Sequence, residues 1–352
     1  MSKNLLASFK PRPSTSRYPY LWWGIVAVLA IVLPLVQPPF IVSLATLALA
    51  YTIAISGLGL LTGIAGQVSL AQSAFVAAGA YTVAILMERF NWPFLLAIVA
   101  AAAVAFVLGL IVGLPAGRLQ GHYLAVITFM VALIVPPVLL RLKDWTGGAN
   151  GMVVSAPMVP DFGLAADQWK FYIALVVAAL VLLLVANIRR SNLGRSLVLM
   201  YTNPLVAVSF GVNATRLKVV TFAWSGMCGG LAGAMMTMID EFAAPQTFTF
   251  MLAILLLVGG VVGGLGTAAG AILGGILLVV LPLVTSGAGL GWVGVIYGAL
   301  VLAIVLVAPK GLVGLGQDAV RLVTRLVSRG RRSGTTGAAA PARGRVEGGD
   351  AS

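Results

Sequence analysis

Residues 242–309 contain no Asp, Glu, Lys, Arg or His. A stretch that long without charge has no soluble surface to offer. Where it also holds apolar runs of about 20 residues, the medium that suits it is the hydrocarbon of a bilayer, crossed as helices. The same pattern repeats through the chain, with apolar runs at about 20–37, 40–62, 69–87, 94–116, 122–140, 169–188, 217–239, 250–264, 267–286 and 290–308. The charged fraction is 9%, against roughly 25% in soluble domains. The chain is therefore read as an all-α polytopic membrane protein with about ten transmembrane helices, at least about eight, and one or two broken or re-entrant segments. The stretch "LLLVGGVVGGLGTAAGAILGGILLVV" reads either as two spans or as one long span with a re-entrant piece.

The distribution of Lys and Arg orients the chain. With the N-terminus cytoplasmic and ten spans, 18 of the 22 basic residues fall inside: four before the first span, Arg118, five between Arg189 and Lys218, and eight from Lys310 onward. Arg89, Arg141, Lys143 and Lys170 fall outside, with Glu88, Asp144, Asp161, Asp167, Asp240 and Glu241. Both termini are expected to be cytoplasmic, because an odd span count would expose one of two strongly basic ends. The expected organisation is a cytoplasmic segment 1–19, a transmembrane domain 20–309 with an external loop at 141–168 and a cytoplasmic loop at 189–216, and a basic segment 310–352. The last of these holds a short amphipathic helix on the inner membrane surface and a disordered tail. "VQPPF" after the first apolar run lacks the small-residue cleavage site of a signal peptide, so that run is expected to remain as a helix.

A net charge of +13 raises the question of nucleic acid. Such binding needs a basic stripe beside aromatic or polar readout, and here the basic residues sit at the edges of apolar blocks, so no nucleic acid is expected. Cys228 and His122 are the only residues of their kinds, which excludes an intramolecular disulfide framework and any Cys- or His-rich metal site. His122 is expected at the interface. No acidic residue falls within an apolar core, so the usual proton or sodium relay has no carrier. No G-x-x-x-x-G-K-[ST] pattern occurs. Uphill transport would draw its energy from another chain.

"GIAGQVSLAQS", residues 63–73, sets glycines and side-chain amides against this greasy background. Gly63 and Gly66 are candidates to unwind or end the second span. Ser69 with Gln72 fits a capping box at the start of the third. One reading is a broken helix lining a solute path, where exposed backbone groups serve a polar solute. The other is a plain loop with a capped helix. For the path reading the candidates are Gln67, Ser69, Gln72, Ser73 and, from span five, Thr128; they offer neutral hydrogen-bonding groups that pass a zwitterion without trapping it. Glycines four apart at 226/230, 229/233 and 266/270/274 read as close helix packing. "GGVVGGLGTAAGAILGG" loosely echoes the sequence around residues 57–80, as in a repeat crossing the membrane in opposite senses.

In the cytoplasmic loop Asn203 is a good N-cap, Pro204 suits the first helical position and Gly211 can close the helix. Leu205, Val206, Val208 and Phe210 leave that helix too apolar to stay exposed. It should dock on a partner, on its own spans or on lipid headgroups.

Five ordered segments, "GLGLLTGIAGQVSLAQSAFVAAGAYTVA", "GRLQGHYLAVITFMVA", "DWTGGANGM", "GRSLVLMYTNPLVAVSFGVNATRLKVVTFAWSGMCGGLAGAM" and "VGGVVGGLGTAAGAILGG", together resemble the LivM-type permease subunits of bacterial ABC importers for branched-chain amino acids. The resemblance covers about residues 45–315. It implies a multi-pass protein of the bacterial inner membrane that translocates leucine, isoleucine and valine. The implied partners are a LivH-type second permease subunit, two cytoplasmic ATPases that hydrolyse the ATP, and a periplasmic solute-binding protein. The chain itself then has no cofactor and is no enzyme. The resemblance also implies an ATPase-coupling segment from Gly194 to Asn213. Gly194, Arg195, Ala207, Gly211 and Asn213 match that pattern, while Pro204 and Val208 stand where the family usually has glutamates, and Val198 and Tyr201 where it has basic residues. An ATPase with a more apolar groove is the expected counterpart. Similar permeases serve urea and short amides, which remains an alternative. A stand-alone passive channel is the alternative of another class, and an intramembrane enzyme lacks any paired acids or Ser–His set within the spans.

Overall fold

The computed structural model describes residues 30–119, 121–155 and 165–285, with Gly298 and Gly314. After a helical stretch at 30–36, the principal helices are α1 Pro39–Leu58, α2 Gln72–Phe90, α3 Phe94–Arg118, α4 His122–Arg141, α5 Ala166–Arg190, α6 Asn192–Thr202, α7 Pro204–Ser209, α8 Ala214–Asp240, α9 Phe250–Gly263 and α10 Ala268–Thr285. A π-helical turn, Gly59–Ile64, continues α1. The β structure among the described residues is one antiparallel ribbon of β1 Met152–Val153 and β2 Phe242–Ala243. Prolines mark three helix starts, at Pro38–Pro39, Pro93 and Pro204, where a fixed φ and a missing N–H cost nothing.

Six described helices are long and apolar enough to cross a membrane: Pro39–Ile64, Gln72–Phe90, Phe94–Arg118, Tyr123–Arg141, Ala166–Arg190 and Ala214–Asp240. The chain is a polytopic membrane protein. The uncharged stretch from 250 divides into two shorter apolar helices, with Gly264 and Gly266 at positive φ between them, so it is not one long span. At 1.5 Å per residue, the 14 residues of α9 reach only about 21 Å, short of the roughly 30 Å hydrocarbon core. A 3-10 turn at Pro245–Phe248 buries Phe248 edge-on to Tyr81 of α2, with 6.0 Å between ring centroids. The expected span at 20–37 is described only from residue 30. The expected span at 290–308, residues 1–29, 156–164 of the external loop, and the basic segment apart from Gly314 lie outside the described residues.

Charge divides the bundle into two ends. At the acidic end Lys170 pairs with Glu241 at 2.6 Å, the Glu88 carboxylate accepts from the Ser155 N–H at 2.6 Å, and the Arg89 guanidinium lies 5.1 Å from the centre of the Trp145 ring. The ribbon sits at this end, where the Tyr81 hydroxyl donates to the Ala243 carbonyl at 3.4 Å. At the basic end lie Arg118, Arg189, Arg190, Arg195 and Arg216, with helices α6 and α7.

Helix α8 is the centre of the bundle, packed on α3, α2 and α1. Its glycines make this possible, since apolar lipid gives helices no hydrophobic reason to associate and close backbone approach must supply the attraction. A methyl on Gly226 would stand 2.5 Å from the Ala105 carbonyl of α3, one on Gly229 2.6 Å from Phe75 Cβ of α2, and one on Gly233 would strike the Val76 carbonyl. The expected repeat in opposite senses is corrected here. Gly63, at the end of the α1 hairpin, backs onto Gly266 in the α9–α10 turn, where a methyl would stand 2.5 Å from Gly266 N. Both glycine turns therefore lie at the same end of the bundle, and both hairpins cross in the same sense.

Gly233→Val should push α2 off α8 and lower stability by about 1–3 kcal/mol, as overpacking does. A reduced melting temperature in detergent would show it. Val99→Leu, on an outward face of α3, should stay within about 0.5 kcal/mol of the parent.

Candidate functional site

Between the π turn and α2 the chain runs without helix from Ala65 to Ala71. Backbone groups inside a bundle need partners that lipid cannot provide, and here short polar side chains provide them. The Gln67 N–H donates to Leu61 O at 2.9 Å and the Ala65 N–H to Leu60 O at 3.1 Å. The Leu70 N–H donates to Thr128 Oγ1 of α4 at 3.1 Å, while that hydroxyl donates back to its own helix. Thr62 Oγ1 donates to Gln67 O at 3.2 Å, and Ser69 Oγ accepts from the Ala71 N–H at 3.4 Å. Gly66 takes φ +65°, a left-handed value open to glycine at little cost.

The capping box expected at Ser69 and Gln72 does not form. The N-cap of α2 is Ala71, and Gln72 is the first helical residue. Its amide crosses the core instead. Nε2 donates to Ala54 O of α1 at 3.0 Å, and Oε1 accepts from Ser225 Oγ of α8 at 3.1 Å. Methyl groups on Gly57 or Gly229 would stand 3.3 Å and 3.1 Å from Nε2, so these two glycines make room for the amide.

At the basic end the break borders an open cavity of about 620 Å³. One wall is Ala65–Val68, another Leu119, Gly121, Leu124 and Ala125 around the start of α4, and a third α6, α7 and the start of α8. Of the five path candidates, Gln67 lines this cavity; its Oε1 is buried and has no partner among the described residues. Ser69, Gln72, Ser73 and Thr128 are buried behind that wall. Gln72, Ser69 and Thr128 hold the wall in place, and Ser73 Oγ has no partner among the described residues.

The coupling candidates form the opposite wall. Asn203 caps α7, its side chain accepting from the Val206 N–H at 3.3 Å, with Pro204 at the first position and Gly211 beyond it at φ +76°. Asn213 caps α8 through the Arg216 N–H at 3.0 Å. Gly194 packs on the Ile188 and Arg189 carbonyls at the end of α5, and Arg195 donates to Asn192 Oδ1 at 2.9 Å. Pro204, Ala207 and Val208 line the cavity. Ala207 is buried with Leu60, Ile64 and Ala65 of the break and Leu197 and Met200 of α6. Leu205 and Phe210 point the other way, 82% and 77% exposed.

Two residues of this site escaped the sequence reading. Lys218, counted there only as a basic loop residue, lines the cavity and donates through Nζ to Leu119 O, the carbonyl that ends α3, at 2.8 Å. Ser225 is the partner of Gln72; its signal was the one serine of span seven, set beside the glycines. The cavity brings the Gln67 amide, the Lys218 ammonium and the Tyr201 phenol together with apolar walls. Among the described residues no group of three metal-ligating side chains occurs.

A family model for the branched-chain amino acid transport system permease component matches residues 40–306. The chain belongs to that family. It is 30% identical over 278 residues to the high-affinity branched-chain amino acid transport system permease protein LivM of Escherichia coli, a match covering 72% of this chain and 65% of the relative. The LivM protein of Salmonella typhimurium matches with the same figures. A probable branched-chain amino acid transport permease protein LivH of Methanocaldococcus jannaschii is 24% identical over 267 residues, 70% of this chain and 83% of the relative. The chain thus spans a little under two thirds of the length of the two bacterial LivM relatives. No solved structure matches it.

Gln72→Leu removes the amide's bonds to Ala54 O, Ser225 O and Ser225 Oγ and leaves the Ser225 hydroxyl and the Ala54 carbonyl without that partner, so it should cost about 1–3 kcal/mol. Thermal unfolding of the purified protein measures it. Adding Ser225→Ala to the variant should recover part of the loss, because no orphan hydroxyl then remains.

Proposed function

We propose that the chain is the LivM-type permease subunit of an ATP-driven importer for branched-chain amino acids in the bacterial inner membrane, and that the cavity beside the helix break is part of its translocation path. In this reading there are ten spans, both termini and the basic end face the cytoplasm, and the acidic end faces the periplasm. The permease domain is 20–309, with an external loop at 141–168, a coupling loop at 189–216 and cytoplasmic segments on either side. A LivH-type subunit completes the path, two ATPases supply the energy and a periplasmic binding protein delivers the solute. Gln67 meets the solute; Ser69, Gln72, Ser73 and Thr128 set the wall that presents it. Gly63 and Gly66 permit the break.

The observation that carries this reading is the two-faced α7. Its inner residue Ala207 is buried with the break, Val208 stands at the cavity rim, 64% exposed, and Leu205 and Phe210 on the outer side are exposed at 82% and 77% at the basic end. A short apolar helix presented in this way suits a hydrophobic groove on a partner. The charge bias of the sequence supports the cytoplasmic side, and the ATPase supplies the nucleotide site this sequence lacks. Asn203, Pro204, Gly211 and Asn213 fix the shape of the segment, and Gly194 and Arg195 shape its start.

The test is co-purification of the tagged chain with the proteins encoded beside it. The ATPase and second permease should be recovered, and replacing residues 203–211 by a Gly/Ser linker should abolish ATPase recovery. Val208→Asp places an unpaired charge in the docked interface, a penalty of about 3–5 kcal/mol, and should reduce ATPase recovery more than tenfold. Assembly unaffected by Val208→Asp would reject apolar docking. Gln67→Leu should lower leucine uptake without changing assembly; unchanged uptake would remove Gln67 from the path. Solute flux through the chain alone in liposomes would favour a passive channel, and uptake of urea in place of leucine would reassign the substrate.

A further inference from the structure

We infer that Tyr201 and Arg189 are positioning residues that clamp the helix break at two points, so that the coupling segment and the cavity wall Gly66–Val68 move as one body. The inference rests on the importer reading and adds to it the connection by which movement of α7 reaches the path.

The first point of the clamp is Tyr201, the penultimate residue of α6. Its ring edge, Cδ2 and Cε2, occupies the space where a side chain on Gly66 would begin. Gly66 thus has two reasons to lack a Cβ, its φ of +65° and the ring against it. The second point is Arg189, on the last turn of α5. Its Nη1 donates to Gly266 O at 2.8 Å, and the backbone of Gly266 is the surface against which Gly63 packs. One continuous stretch of chain, 189–201, therefore grips the break at Gly66 directly and at Gly63 through the second glycine turn.

That stretch is stiff. The elbow at Ser191 is closed by the Ser191 N–H donating to Asn187 O at 2.9 Å and its hydroxyl donating to Ile188 O at 2.6 Å. A methyl on Gly194 would stand 2.5 Å from Ile188 O, so α6 lies directly on the end of α5. Leu197 and Met200 of α6 are buried against Leu60, Ile64 and Ala65. Asn203 alone separates α6 from α7, and its N–H is held by Leu199 O at 2.8 Å. A displacement of α7 has no slack to enter before it reaches Gly66. Val68, 46% exposed and on the cavity wall, lies two residues beyond that contact.

A contact that only stabilises the fold would change yield and melting temperature; a clamp changes how much solute moves per ATP. The experiment uses the assembled complex in proteoliposomes, with leucine as solute. Tyr201→Ala should lower leucine uptake per ATP hydrolysed about tenfold, within the usual span of coupling between sites, and Tyr201→Phe, which keeps the ring, should restore it. Val68→Cys in a Cys228→Ala background gives a second readout. Its labelling by a soluble thiol reagent should change on addition of ATP with vanadate, and Tyr201→Ala should abolish that change. Wild-type uptake per ATP and a retained labelling change in Tyr201→Ala would overturn the clamp. If that variant fails to assemble, Arg189→Gln is read by the same two criteria, and failure of both to assemble would make the contacts structural and likewise overturn it. Absence of any ATPase with the parent chain would instead remove the importer reading on which the clamp rests.

Discussion

The Gln72 amide decides where the second half of the first hairpin begins. A primary amide buried among apolar helices is costly unless both its ends are satisfied. Here one end is held by Ala54 O and the other by Ser225 Oγ. The amide therefore ties α1, α2 and α8 together at one level of the bundle. It also fixes α2 to start at that level, below the end of α1, because Gln72 is itself the first residue of the helix. The chain leaving α1 must then travel back from the basic end without helix, and the break is a geometric consequence of the staple. Gly57 and Gly229 belong to the same constraint, since side chains there would crowd the amide.

Such a segment persists because its polar backbone is satisfied from nearby. Thr62, Ser69 and Thr128 each give the break one hydrogen bond, worth about 1 kcal/mol net apiece. The π turn before it continues the ladder from α1 without a free end. π turns inside helices are frequently found at functional sites. Here the turn brings Gly59 and Gly63 onto Gly266, so the two glycine-rich hairpins of the chain meet just ahead of the break.

Much of this architecture was legible in the sequence because lipid imposes few choices. Apolar length located the helices, and Asn203 with Pro204 located the start of α7. Glycines four apart marked the faces on which α8 packs. What stayed hidden depended on partners distant in sequence. Ser69 and Gln72 have the spacing of a capping box, yet the Gln72 side chain finds Ser225, 153 residues away, and local pattern carries no trace of that pairing. Nor does hydropathy place a turn where charge is absent; positive φ at Gly264 and Gly266 divides that stretch into two helices. The glycine echo suggested a repeat of opposite sense because composition alone has no direction; contact between Gly63 and Gly266 supplied it.

Leu60 and Leu61, neighbours in the π turn and both fully buried, belong to different apolar clusters. Leu60 packs with Ile64, Leu197, Met200 and Ala207, hence with α6 and α7. Leu61 packs with Ala71, Phe75, Leu124 and Phe222, hence with α2, α4 and α8. The turn thus stands on a seam between the cytoplasm-directed segment of the proposed importer and the body of the bundle. Close-packed clusters shift as units because internal rearrangement opens voids that forfeit dispersion contacts. Relative movement of the two clusters must therefore be absorbed where the chain passes from one to the other, between Leu60 and Leu61 in the π turn and between the Gly66–Val68 wall and Ala71. The cavity lies along the same seam, with Ala65 and Ala207 from one cluster and Leu124 from the other in its walls. Any slip along the seam changes the cavity's width, so the position of the break joins the shape of the cavity to the position of α6 and α7.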